Sequence, residues 1–139
     1  MKEKNMKTMK RIITKYPLSI LLICAIWTVC LIPIPETPLD DVPMIDKWTH
    51  FVMYGSLCVT IFGEYAYRNK TIDKQKLTIF GVLMPCIMGG LIELAQAYLT
   101  GGNRSGDIMD WIANCIGVAI GVAIGSLLVY LHAKARKDI

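Results

Sequence analysis

Apolar residues in this chain come in blocks, over roughly 17–34, 48–67, 77–99 and 108–131. Each block is close to the ~20 residues that an α-helix needs to cross about 30 Å of hydrocarbon. The pattern predicts four membrane-spanning helices at about 17–34, 47–67, 77–99 and 108–131. Together they make a single domain, residues 1–139, with the fold class of an all-α integral membrane four-helix bundle. A soluble domain of 139 residues has too little interior to hide four such helices.

The connections refine this picture. "PIPETPLDDVP" holds four prolines, 33, 35, 38 and 43, which lack N–H donors and fix φ. It is expected to be a stiff, extended loop, with Asp46 as the N-cap of the second helix. Pro85 should kink the third helix, because its ring crowds the carbonyl of Gly81. "TGGNRSGD" is a short, glycine-rich turn. In the fourth helix, Ala113, Gly117, Gly121 and Gly125 recur every four residues and invite a close backbone neighbour. That neighbour is either another helix of the same chain or a second copy, a homo-oligomer through the Gly117/Gly121/Gly125 face.

Charge sets the expected topology. The chain is 54% hydrophobic, with a mean hydropathy of +0.46. Of its 15 basic residues, 13 lie before residue 17, in 68–76 or in the tail after 131; only Lys47 and Arg104 fall in the other two connections. Basic residues stay on the cytoplasmic side, so the N and C termini and the 68–76 loop are expected there. The net charge of +4 therefore needs no nucleic acid. A signal peptide over the first block is disfavoured, because "TVCLIPIPETP" has no A-x-A-like exit and the apolar run is long. The five cysteines all lie in apolar blocks without a CxxC pair and read as reduced packing residues.

The polar residues inside the blocks are the informative ones. "DKWTHFVMYG" opens the second helix with Asp46, Lys47, His50 and Tyr54. Asp46, His50 and Tyr54 fall within about 80° of one helix face. Glu93 and Gln96 share a face of the third helix. Asp107, Asp110 and Asn114 fall within about 60° of each other at the start of the fourth. At ~1.5 Å per residue, His50, Glu93, Gln96, Asp110 and Asn114 lie within about 10 Å of the outer boundary. Three helices thus place polar groups at one level, with Lys47 and Arg104 at the rim and nothing from the first helix. Buried charges are costly unless paired or hydrated, so a polar pocket opening outward is expected. Trp48, Tyr98, Trp111 and Tyr130 read as interface anchors.

"DKWTHFVMY", "ELAQ" and "RSGDIMDWIANCIG" in that order resemble the three-part pattern of the VanZ-like family, small bacterial membrane proteins named for an accessory protein of teicoplanin resistance. The matching positions are Asp46, Lys47, His50, Phe51 and Tyr54, then Glu93 and Gln96, then Arg104, Ser105, Asp110, Asn114 and Gly117. The resemblance implies a multi-pass protein of the bacterial cytoplasmic (inner) membrane linked to the cell surface. It supplies no reaction and no cofactor.

Three functions fit these residues. The first is binding or processing of an amphiphilic envelope molecule: a lipid-linked cell-wall intermediate, a phospholipid or a lipoglycopeptide, with a link to glycopeptide resistance. Lys47 and Arg104 would hold its phosphate or carboxylate, with Asp46, Tyr54, Gln96, Ser105, Asp107 and Asn114 as further ligand-binding residues. The second is an intramembrane enzyme, in which catalytic His50 works with Glu93 or Asp110 on a lipid phosphoryl or acyl group. A metal on these carboxylates ranks lower, because no HExxH or multi-histidine cluster is present. The third is a purely structural polar clamp, each hydrogen bond contributing about 0.6 kcal/mol.

Overall fold

A computed structural model describes residues 2–33, 35 and 38–138. Among the described residues six α-helices follow one another: α1 (Lys2–Lys15), α2 (Pro17–Leu31), α3 (Ile45–Arg68), α4 (Lys74–Thr78), α5 (Met84–Leu99) and α6 (Ile108–Lys137). Among the described residues there are no strands. A 3₁₀ turn, Pro38–Asp41, interrupts the loop expected to be extended.

The fold centres on α3. Its inner face carries Tyr54, Leu57, Cys58, Ile61, Phe62 and Tyr65, all buried and spaced for one side of a helix. The longest seam of the molecule joins α3 to α6. There the glycine ladder is filled by this same chain. A Cβ on Gly117 would collide with the Phe51 carbonyl, and one on Gly121 would sit 2.6 Å from Cys58 Cβ. One on Gly125 would sit 2.6 Å from Phe62 Cβ. Small residues therefore set the α3–α6 distance by removing what would hold the backbones apart. The outer face of α6 carries Ile112, Ile116, Ile120, Ile124 and Leu128, all exposed. With small residues inside and large apolar residues outside, α6 faces lipid rather than water.

Two helical segments are long and apolar enough to cross a membrane: Lys74–Leu99, which runs through α4 and α5, and Ile108–Lys137. A third is added if α1 and α2, bent by 94° at residue 16, count as one. The count expected from sequence was four. Helix α2 ends at Leu31 and has 15 residues, about 22 Å, short of the hydrocarbon thickness. Helix α3 has 24 residues but carries Asp46, Lys47, His50, Glu64 and Arg68, which dilute its hydropathy.

Pro85 leaves the third span continuous. The turn before it, Ile79–Leu83, is widened into a π turn, with Met84 N–H donating to the Ile79 carbonyl. Pro85 has no N–H for the Gly81 carbonyl; Cys58 Sγ donates to that carbonyl at 3.0 Å instead. A second intrusive group, Glu64, also has a structural partner. Its carboxylate accepts from Leu18 N–H (3.0 Å), Ser19 N–H (3.0 Å) and Ser19 Oγ–H (2.7 Å), capping the N-terminus of α2. The basic segments gather at this end: Lys15 Nζ donates to Asn69 Oδ1 (2.7 Å), and Arg136 donates to the carbonyls of Asn69 (2.9 Å) and Tyr67 (3.2 Å).

Candidate functional site

At the opposite end lie the start of α3, the end of α5 and the start of α6. Their termini fix what reaches inward. Asp46 is not the N-cap of α3; the helix begins earlier, after Met44, whose φ of 62° is a left-handed conformation unusual for a side-chain-bearing residue. Asp46 consequently sits in the first turn, exposed, at the edge of the site. Asp107 does cap α6, accepting from Met109 N–H at 2.9 Å. That hydrogen bond holds its carboxyl below the usual 3.8; partial burial opposes the effect and the Lys47 ammonium adds to it.

The 100–107 turn is held over the end of α5. Gly101 and Gly102 take positive φ, 61° and 90°. Arg104 N–H donates to Thr100 Oγ1 (3.1 Å), which lies 2.8 Å from the Gln96 carbonyl. Gly106 then passes directly over α5, where a Cβ would strike the Glu93 carbonyl and sit 3.0 Å from Ala97 Cβ. This close approach lets Asp107 N–H donate to Glu93 Oε2 at 3.1 Å.

Inside this frame His50, 3% exposed, is the meeting point. Its Nδ1 is 3.1 Å from Asn114 Oδ1, which accepts from it in the Nδ1–H tautomer. Glu93 Oε1 lies 3.8 Å from Nδ1, and Asp110 Oδ2 lies 4.0 Å from Nε2. Lys47 Nζ bridges the two α6 carboxylates, 3.3 Å from Asp110 Oδ1 and 3.5 Å from Asp107 Oδ2. Asn114 is fully buried, and so is Tyr54, one turn deeper. Among the described residues four buried polar atoms of the site make no hydrogen bond: Tyr54 Oη, Glu93 Oε1 and Asn114 Nδ2, and Asp110 Oδ1, which keeps only its ion pair with Lys47. Such atoms are costly to leave unpaired.

Asp46, Lys47, His50, Gln96, Arg104, Ser105, Asp107 and Asp110 line a cavity of about 250 Å³. Glu93, Asn114 and Tyr54 stand behind it rather than in its wall. Asn103, unremarked in the sequence, is the ninth lining residue. The first span also contributes to this level, contrary to expectation: Gln96 Nε2 donates to the Cys30 carbonyl near the end of α2 at 2.8 Å. A backbone carbonyl leaves no trace in a residue pattern, so only the lone buried glutamine could have hinted at it. Trp111, expected as an interface anchor, is part-exposed, donates its indole N–H to the Cys86 carbonyl at 3.0 Å and packs on Gly89 and Gly90. Among the described residues no three His, Cys, Asp or Glu side chains converge as a metal site.

The family model for VanZ/LLP1 matches residues 3–129 of the 139. The chain belongs to the VanZ/LLP1 family. Membership spans α1 to the lower part of α6 and takes in every residue of the cavity. With its apolar helices, it marks the chain as a membrane protein of VanZ type. No curated protein and no solved structure matches the chain.

Proposed function

We propose that this VanZ-family protein spans the bacterial cytoplasmic membrane with both termini inside, and that its outward cavity binds the polar headgroup of an amphiphilic envelope molecule. The observation that carries the reading is the cavity itself. Side chains from α3, α5, α6 and the 100–107 turn surround it, at the end of the molecule away from the Lys15–Asn69–Arg136 cluster. The gathering of basic segments at the other end supports a cytoplasmic assignment there. Helix α3 then crosses as an inner span. Its outward polar residues point into the cavity, and Glu64 is bound to the start of α2.

Size and charge narrow the ligand. A cavity of about 250 Å³ is below the ~300–1,000 Å³ of pockets that enclose drug-sized ligands. It suits a headgroup and not an entire lipoglycopeptide. Three aspartates line it against Lys47 and Arg104, and Lys47 is already bracketed by two of them. That lining favours a headgroup with N–H donors for the carboxylates beside an anionic group for Arg104, a zwitterion such as phosphoethanolamine. Acyl chains would lie along the exposed apolar faces of α5 and α6.

The test uses the full chain purified in dodecylmaltoside and native mass spectrometry. Phosphatidylethanolamine should be retained at least fivefold over phosphatidylglycerol of the same chains. Asp110→Asn and His50→Ala should abolish that preference while the folded fraction by circular dichroism stays unchanged. Equal retention of the two lipids, or a preference that survives both substitutions, defeats the proposal. Reduced teicoplanin susceptibility on expression, lost in His50→Ala, is the cellular counterpart.

A further inference from the structure

Helix α1 is the feature that the cavity does not use. Its 14 residues make about 21 Å of helix, set at 94° to α2. Met6, Met9, Ile12 and Ile13 are 49–62% exposed. Spacings of three and four put them on one side. Lys4, Lys7, Arg11 and Lys15 follow the same spacing on the opposite side, with Lys10 at the flank. A helix facing water on all sides has no use for that apolar stripe.

The geometry points to α1 as an in-plane helix on an anionic bilayer surface: its methionines and isoleucines enter the acyl boundary and its lysines and arginine stay among the headgroups. Three observations select a membrane over a protein partner. First, the sequence separates into an apolar and a cationic face, as interfacial helices do. Second, α1 is perpendicular to α2, whose neighbours are the spans, so it lies parallel to the membrane plane. Third, it emerges among the other basic segments, tied there by Lys15 to Asn69, with Asn69 Nδ2 donating to Tyr16 Oη at 3.3 Å. The cationic face thereby extends a basic surface that anionic lipid already complements. The inference rests on the chain's being a membrane protein and is independent of what the cavity binds.

The experiment uses the full chain in nanodiscs of phosphatidylcholine, with or without one-quarter phosphatidylglycerol. A photoreactive benzoylphenylalanine replaces Met9 or, separately, Lys7. Position 9 should form acyl-chain adducts and position 7 should not. Amide exchange over residues 3–13 should be slower in anionic discs, by about fivefold for each basic residue engaged. Replacing Lys4, Lys7, Lys10 and Arg11 together by Gln should return it to the neutral-disc rate. Adducts at position 9 to a second protein molecule instead of lipid, equal labelling at 7 and 9, or exchange indifferent to lipid charge would each overturn the inference. All the substituted side chains are exposed, so folding of the remaining helices is not at stake.

Discussion

Two glycines on facing helices should respond to the same substitution with opposite signs. At Gly121, an added Cβ would lie 2.6 Å from Cys58 Cβ and 2.7 Å from the Gly55 carbonyl oxygen, whereas ordinary contact begins near 3.4 Å. Gly121→Ala must therefore part α3 from α6 by about 0.8 Å at that level, the difference between 3.4 and 2.6 Å. A gap of this size forfeits a quarter to a half of each neighbouring dispersion contact. Gly117 and Gly125 sit in the same seam and lose contacts with it. Overpacking of this kind costs about 1–3 kcal/mol, offset by about 1 kcal/mol of helix preference for Ala over Gly. The net expectation is a loss of up to about 2 kcal/mol. At Gly63 in α3 the added Cβ meets nothing within 4 Å, so Gly63→Ala keeps only the helix preference and gains up to about 1 kcal/mol. Reversible unfolding in dodecylmaltoside by titration with sodium dodecyl sulfate, followed by far-ultraviolet circular dichroism, compares the two. A gap between the variants of less than about 0.5 kcal/mol, or a stabilised Gly121→Ala, would mean that the α3–α6 seam is not close-packed as described.

Three further outcomes follow from hydrogen bonds. Glu64→Gln removes the charge and one of the two acceptors at the α2 N-terminus, and should cost about 2 kcal/mol in the same titration; a loss under about 0.5 kcal/mol would sink the capping role. Cys58→Ala leaves the Gly81 carbonyl unpartnered and should cost about 1–2 kcal/mol, but much less in a Pro85→Ala background, where residue 85 regains an N–H; additive effects of the two substitutions contradict this exchange. The Asp107 carboxylate has a depressed pKa, so its stabilisation is complete above the usual 3.8 and is lost as pH falls through the lower folded value. The stability gap between wild type and Asp107→Asn should hold from pH 7 to 5 and shrink by pH 3; a gap of constant size over that range refutes the assignment.

The polar cluster was legible because hydrocarbon makes polar residues conspicuous. His50, Glu93, Gln96, Asp110 and Asn114 stand out in apolar blocks, and alternating helix direction sets them at one level. Of these, His50, Gln96 and Asp110 line the cavity with Lys47 and Arg104, while Glu93 and Asn114 stand behind it. Helix boundaries were less legible. Met44 starts α3 through a left-handed backbone that no residue preference announces. Helix α1 was read only as a run of topology-setting charge, because lysines dominate its composition and its four apolar residues look incidental until wound at 100° per residue. Pairings across the fold were invisible for another reason. Glu64 and Ser19 are 45 residues apart, and Gln96 and Cys30 are 66 apart. Neither pairing belongs to a motif, and one of them ends on a backbone atom.

Helix α3 shows why composition alone undercounted its part in the molecule. Three of the residues that lower its hydropathy are satisfied by its neighbours. Glu64 is bound by α2, Lys47 by two α6 carboxylates, and His50 by Asn114. Tyr54, fully buried among them, keeps its hydroxyl unpaired. A helix on the lipid-facing rim cannot offer such partners, so polar residues there stay expensive. Helix α3 packs against both α2 and α6, and the glycine seam lets α6 come close enough to bond its polar residues. A substitution that widens the α3–α6 seam should accordingly unpair His50 from Asn114 and release Lys47 from Asp110. Stability and any ligand retention by the cavity should fall together in Gly121→Ala; a variant that loses 1–2 kcal/mol yet keeps its full lipid preference would separate the cavity from the seam.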